Sequence, residues 1–341
     1  METREVHKGM NIHTRRAIAY VVLTIISFFC LFWFYILFVN ATRSNGQLQS
    51  GFTLAPSSHL LENWKNLLAG TLPVWNGMLN SIIVAGLSAL VSVYFSTMTA
   101  YAIHAYDFGL KKFIYPFILM IMMIPTQVTA LGFVQLVGKM HLEDSFIPLI
   151  VPTIAAPVTF FYMKQYMESA LPLSLIEAAR IDGSGEFHTF NQIVLPLMKP
   201  AIAVQAIFTF VSSWNNYFTP ALILHDDKKK TLPILIAQLR AADWLKFDMG
   251  QVYVCLLYTS IQVILVCVVI VRCDVPFYGY ITDGSCGSVY DGVARIMIFQ
   301  SGLKLLIPAV DVEDFAFIGC CCICSCLCVC ICCRCCLCCR S

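Results

Sequence analysis

The chain has 341 residues, of which 59% are hydrophobic and only 12% charged. Soluble domains carry about a quarter charged residues, so the composition excludes an ordinary soluble protein; the open question is the number of membrane spans, each needing about 20 apolar residues. A net charge of +2 is too small to mark a nucleic-acid-binding surface.

Residues 1–16 are polar, with Arg4, Lys8, Arg15 and Arg16 set against Glu2 and Glu5, and read as a cytoplasmic N-terminus. Residues 17–39 are uncharged, too long and too aromatic for a cleaved leader, and followed by no small-residue cleavage site. They read as a retained first span with its basic flank inside. Residues 40–77, with Pro56 and Pro73, form a polar outer segment. Within it 61–68 read equally well as a short helix along the membrane surface or as part of a plain tether.

A second span is expected over 78–103. Ser88, Ser92, Ser96 and Ala100 recur every four residues along one face of it, a small-residue stripe that lets membrane helices approach closely. Lys111 and Lys112 mark the next turn as cytoplasmic. Span three is expected over 113–137 with Pro125 inside, and span four over 146–163 with Pro152 and Pro157. Proline kinks a helix; bent helices along a path and the ordinary proline content of membrane helices both remain open here. A cytoplasmic loop over 170–192 follows. Span five is expected over 194–217, ending in Trp214-Asn215-Asn216-Tyr217. A second outer segment covers 218–250, and span six 251–271, before Arg272. Six spans place both termini inside. Lys228, Lys229 and Lys230 oppose this orientation, whereas Arg15, Arg16, Lys111, Lys112, Lys164 and Arg272 favour it.

The loop between spans four and five combines charge, small residues and a turn glycine. Leu171-Pro172 suits a helix start, 174–182 read as a short helix, and Gly183 is placed to end it in the left-handed conformation. Ala178 and Ala179 leave its surface bare enough for another backbone to approach. The spacing of Glu177, Ala178, Ala179, Gly183, Ile193, Leu195 and Pro196 resembles the coupling loop of permease subunits in binding-protein-dependent ABC importers. The run Ala179-Arg180-Ile181-Asp182-Gly183-Ser184, with Leu195 to Pro200, is similar to the carbohydrate branch, specifically the maltose-type smaller permease. The resemblance covers residues 60–292 and includes Asn80-Ser81, Ala100-Tyr101-Ala102, Tyr280 to Gly284 and Gly287 to Val289.

The resemblance implies a permease domain over 17–292 in a bacterial or archaeal cell membrane. It implies as partners a second permease subunit, two ABC ATPase subunits and an extracytoplasmic solute-binding protein, with a sugar or oligosaccharide as cargo. Glu177, Ala178, Ala179, Arg180, Asp182, Gly183, Ile193, Leu195 and Pro196 would couple to the ATPase, Glu177 and Arg180 through ion pairs and hydrogen bonds. Trp214, Asn215, Asn216 and Tyr217 are candidates for contact with substrate or binding protein. An aromatic belt at the membrane boundary accounts for the same residue types.

No catalytic residue, cofactor or metal is expected. Gly132 to Gly138-Lys139-Met140 has the wrong spacing for a P-loop and lacks its hydroxyl residue, so any ATP hydrolysis belongs to separate subunits. The central parts of the expected spans hold no ionisable side chain, unlike those of proton-coupled carriers. An ATP-independent channel or facilitator for a small polar solute is the alternative. Of 18 cysteines, thirteen crowd between Cys320 and Cys339, leaving Cys30, Cys255, Cys267, Cys273 and Cys286 elsewhere, so no disulfide framework is inferred. Residues 293–341 match nothing in the resemblance. Their cysteines lack the pair–spacer–pair rhythm of a zinc site, and they read as an anomalous low-complexity tail outside the fold.

Overall fold

The computed structural model describes residues 12–70, 73–241 and 248–274; the cysteine-rich tail and residues 280–289 lie outside that set. Among the described residues every regular element is helical. They divide into two compact units.

The first unit joins residues up to Asn63 with Met249–Ile264. Helix α1 (Ile12–Ala41) leads to α2 (Asn45–Gln49) and α3 (Leu60–Ala69), and α15 (Met249–Asp274) returns to the unit. Ser44 caps α2 reciprocally with Gln47, satisfying end donors that a short helix would otherwise leave open. The buried Asn63 amide donates to the carbonyls of Ala41 at 3.0 Å and Arg43 at 2.8 Å. The Arg43 guanidinium donates to the Gly51 carbonyl at 2.9 Å, and the Thr42 hydroxyl accepts from the Ser57 amide at 2.8 Å. Residues 42–63 are therefore a knotted turn, not a plain tether, and 61–68 are helical. Gly250 is required here: a Cβ on it would lie 2.7 Å from both polar atoms of the Asn63 amide.

The second unit is built around α4 (Val74–Ala105). Ser88, Ser92, Ser96 and Ala100 are all buried, as the stripe predicts, while Leu79, Ile82, Ile83, Leu87 and Leu90 point outward and are exposed. Small polar residues inside and large apolar ones outside invert the pattern of a soluble helix and suit a lipid surround. The stripe receives α7 (Ile147–Ile150), a 3-10 turn (Val151–Ile154) and α8 (Pro157–Ala170). Thr153 Oγ1 donates to the Ser88 carbonyl at 3.3 Å, Ser92 Oγ lies 3.4 Å from Thr159 Oγ1, and Ser96 Oγ donates to the Ala156 carbonyl at 3.5 Å.

Prolines shape the remaining spans more strongly than kinks would. The expected third span is two helices, α5 (Lys111–Ile121) and α6 (Thr126–Lys139), at 97° to one another. Pro125 has no amide with which to continue α5, and it steers Ile124 away from helical dihedrals; its own extended backbone starts α6. In the expected fourth span Pro157 forces Ala156 extended (ψ 92), and the helix resumes after it. The expected fifth span begins later than Val194. After α9 (Leu173–Ile181) and α10 (Glu186–Thr189), residues Phe190–Val194 form a π turn; α11 (Leu195–Leu197) and α12 (Lys199–Trp214) follow. The Glu186–Leu197 and Lys199–Trp214 segments meet at 80°, with Pro196 and Pro200 on either side of the corner. A proline ring clashes with the carbonyl four residues back, and a widened π turn accommodates it.

Helices α13 (Phe218–Ile223) and α14 (Leu232–Ala241) complete the second unit. Among the described residues three segments, Val74–Ala105, Ile147–Ala170 and Met249–Ile270, are long and apolar enough to cross a membrane, and up to five if each of the two bent pairs is one span. Described residues Ser27–Ala41 of α1 form a shorter apolar stretch. The chain is thus an all-α, multi-pass membrane protein.

Candidate functional site

Helix α9 sits at the end of the second unit where α4 finishes. Pro172 is its N-cap, with extended backbone. Gly183 has φ +77, the left-handed conformation expected of it. The Gly183 amide donates to the Arg180 carbonyl and the Ser184 amide to the Ala179 carbonyl, each at 3.0 Å, which is the Schellman closure of a helix end.

One face of α9 belongs to the protein's own core. Ile176 and Ala179 are buried, and Ile176 joins Tyr101, Ile103, Met163, Met167, Phe190 and Val194 in one apolar cluster. Of the two alanines, then, only Ala178 remains on the bare surface. The other face carries Glu177, Ala178 and Asp182, all exposed. Ile181 is 86% exposed and Phe187, just beyond the turn, 72%, so a greasy pair flanks the charged residues. Ile193 and Pro196 are half-buried, and Leu195 packs against the same cluster.

Arg180 is engaged within the chain. Its Nε donates to Glu186 Oε1 at 2.8 Å, and its guanidinium lies 5.0 Å from the centroid of the Tyr106 ring. The other Glu186 oxygen accepts from the Tyr101 hydroxyl at 2.9 Å. Burial, and then the Glu186 carboxylate, push the Tyr106 hydroxyl above its ordinary value. The Glu186 carboxylate, followed by the Tyr106 hydroxyl, raises the Arg180 guanidinium further, keeping it charged. Sequence reasoning singled out Arg180 but missed Glu186, Tyr101 and Tyr106. The available signal was an Arg and a Glu six residues apart across a glycine turn.

The second group of expected residues lies at the end of α12. Trp214 is buried and stacks on Phe210 at 5.6 Å between centroids. The Asn215 amide donates to the Val211 carbonyl at 3.0 Å, and Asn216 Oδ1 accepts from the Thr219 amide at 3.3 Å. These two side chains close one helix and open the next. Tyr217 is the one of the four with an exposed ring.

Sequence reasoning also missed a clasp at the opposite end of α4. His141 and Asp144 both have positive φ, at 53° and 55°. Asp144 Oδ1 accepts from the amides of His225 at 2.6 Å and Asp226 at 2.8 Å, and these bonds, Asp226 first, hold its carboxyl below the usual carboxylate range. Nearby, Asn80 Nδ2 donates to the carbonyls of Lys228 at 2.8 Å and Lys230 at 3.0 Å. Lys230 itself pairs with Asp227 at 2.5 Å. Among the described residues no group of three or more His, Cys, Asp or Glu is arranged to hold a metal ion.

Comparison with known proteins follows the same lines. The family described as binding-protein-dependent transport system inner membrane component matches residues 102–273. The arabinooligosaccharides transport system permease protein AraQ of Halalkalibacterium halodurans is 35% identical over 217 residues, 63% of this chain and 77% of that protein. AraQ of Bacillus subtilis is 33% identical over 212 residues, 58% of this chain and 75% of its own length. The sn-glycerol-3-phosphate transport system permease protein UgpE of Escherichia coli K12 is 31% identical over 248 residues, 71% of this chain and 88% of that protein. A chain from the crystal structure of a bacterial ABC transporter involved in the import of the acidic polysaccharide alginate shares the fold. It is 20% identical with a TM-score of 0.65, covering 77% of this chain and 98% of that one. The chain belongs to the family of inner membrane components of binding-protein-dependent transport systems.

Proposed function

We propose that the chain is one permease of a paired-permease importer, and that α9 is the helix through which two cytoplasmic ATPase subunits drive it. The carrying observation is the exposed face Glu177, Ala178, Ile181, Asp182 on a short helix closed by Gly183 and rooted in the core by Ile176. Such a helix can enter a groove on a partner and move as one body. Closure of the ATPases on ATP would displace α9 and the bundle above it, opening the path to a binding protein outside. Both termini are then cytoplasmic, and the end holding Asp144 and Lys228 is external.

The cargo we infer is a sugar or short oligosaccharide. The AraQ relatives support this by the arabino-oligosaccharides in their names; UgpE, named for glycerol 3-phosphate, makes that solute the competing cargo. Tyr217, the exposed ring among the four residues at the end of α12, is the one we assign to sugar stacking or binding-protein contact.

The test is co-purification of the chain with ATPase subunits, with and without Glu177→Ala plus Ile181→Ala. It is paired with uptake of labelled arabino-oligosaccharides and of glycerol 3-phosphate. Loss of the ATPase in the double variant and uptake of the sugar are expected. Unaltered ATPase binding would refute the role of α9, and uptake of glycerol 3-phosphate alone would refute the cargo.

A further inference from the structure

The connection of α9 to the rest of the bundle is more than its place in the chain suggests. In the chain it lies between α8 and α10, which leads through a π turn and α11 into α12. Both links change the direction of the chain: an extended Leu171-Pro172 joint leads back to α8, and a π turn with an 80° corner leads on to α12.

Ile176 packs with Met163 and Met167 of α8 and with Tyr101 and Ile103 of α4, while the polar and ring contacts around α9 lead to the last third of α4. Tyr101 and Arg180 take one oxygen each of the Glu186 carboxylate, at 2.9 and 2.8 Å. Charge-assisted bonds of this kind are about twice as strong as neutral ones. The Phe190 ring lies 5.7 Å from both Tyr94 and Tyr101, and Tyr94 Oη donates to Asn191 Oδ1 at 3.3 Å. On the near side of α9, a ring nitrogen of His104 is 3.0 Å from the Leu171 carbonyl. Residues 94–104 of α4 thus grip the chain both before and after α9, and Ile176 of α9 packs into the same cluster.

We propose that Glu186 is the positioning residue that fastens α9 to α4, so that a push on α9 reaches α4 directly and not only through α8 and α12. This rests on α9 being the driven helix. At its far end α4 holds the carbonyls of Lys228 and Lys230 through Asn80, and Ser81 Oγ accepts from the Leu232 amide at 2.8 Å. A helix of 32 residues is roughly 48 Å long at 1.5 Å per residue. One unbroken rod therefore links the driven helix to the segment 228–232 at the other end.

The experiment uses the assembled importer, with its second permease and ATPases, in lipid nanodiscs. Spin labels are attached through a bioorthogonal amino acid at the exposed positions Thr99 and Ser174, one on α4 and one on α9. Their separation is measured without nucleotide and after trapping with ATP and vanadate. In the wild type it should stay constant to within about 2 Å, the scale of helix shifts in such transitions. Glu186→Gln should let it change or broaden by more than that. Tyr101→Phe, which removes one oxygen and keeps the ring, should do the same, guarding against a folding defect in the first variant. Both variants should retain their ATPase subunits. A wild-type separation that changes between states, or variants as tight as wild type, would overturn the proposal. If the Ser174 label shows no loss of mobility on adding the ATPases, α9 is not the driven helix, and this inference falls with that reading whatever the distances do.

Discussion

Gly183 separates two explanations of a helix end: one based on space, the other on backbone handedness. A Cβ placed on it meets no atom within 4 Å, so bulk alone should be harmless. Its φ of +77 is what an L-residue resists. The left-handed conformation costs an L-residue about 1–2 kcal/mol, and least for Asn, whose side chain can bond locally. A β-branched residue is the worst case. We therefore expect a graded series: Gly183→Asn close to wild type, Gly183→Ala about 1 kcal/mol weaker, and Gly183→Val about 2 kcal/mol weaker. At α9 this is a large fraction of local stability, because nine residues are too few for an independently stable helix. Two kcal/mol corresponds to a roughly thirtyfold rise in the open population. Hydrogen exchange of the 173–190 peptide reads it directly, and the Ser184 amide, bonded to the Ala179 carbonyl, is the reporter. In the assembled importer the valine variant should hydrolyse ATP with uptake lost, while the asparagine variant transports. If Asn proves as disruptive as Val, or Val as quiet as Gly, the handedness explanation is wrong.

Three further outcomes test the packing. Gly250→Ala sets a helix-propensity gain of about 1 kcal/mol against displacement of the Asn63 amide 2.7 Å away. That amide makes two buried hydrogen bonds, each costing about 1–3 kcal/mol when lost, so net destabilisation is expected, and a raised melting temperature in detergent would reverse the sign. Ser92→Ala should be tolerated, since it gives up only a 3.4 Å contact with Thr159. Ser92→Leu should cost about 1–3 kcal/mol by overpacking, and equal melting temperatures for the two would show that the stripe is not closely packed. The Asp144 clasp has a worked pH sign: its folded carboxyl is depressed below the ordinary 3.8. Its contribution is therefore complete above that value and lost only as pH falls through the lower folded value. Exchange protection of the His225 and Asp226 amides should hold from neutral pH down to about 4, and loss of protection already at pH 6 would rule out this carboxylate as the clasp.

The features legible in the sequence were those with a short-range cause. The every-fourth spacing of Ser88, Ser92, Ser96 and Ala100 specifies one helix face, and all four are buried. Gly183 after Asp182 specifies a left-handed stop, and its φ is positive. What escaped were effects that depend on a distant partner. Pro125 announces a break, but whether the two halves meet at a mild kink or at 97° depends on what the second half packs against. Val137 of α6 packs with Ile223, Leu224 and Ile234, some ninety residues away in the chain, and nothing near Pro125 encodes that. Glu186 escaped for the same reason, because Tyr101 stands 85 residues before it.

These long-range ties also explain how a bundle so interrupted by proline holds its shape. Each break frees backbone carbonyls that lipid cannot serve, and in this chain hydroxyls and other backbone groups near the breaks take up polar partners. The Ala156 carbonyl, beside the Pro157 break, accepts from Ser96 Oγ, and from the Phe160 amide at 2.9 Å. Thr153 Oγ1, in the 3-10 turn, donates to the Ile150 carbonyl at 2.6 Å as well as to Ser88. The serine stripe therefore has two roles, only the second of which a stripe of alanines would lack. It lets α4 approach closely, and at Ser96 it supplies a hydroxyl donor where a neighbouring helix has been broken. The breaks thus keep polar partners while α4 runs unbroken past them over 32 residues, the continuity that the proposed drive through α9 would use.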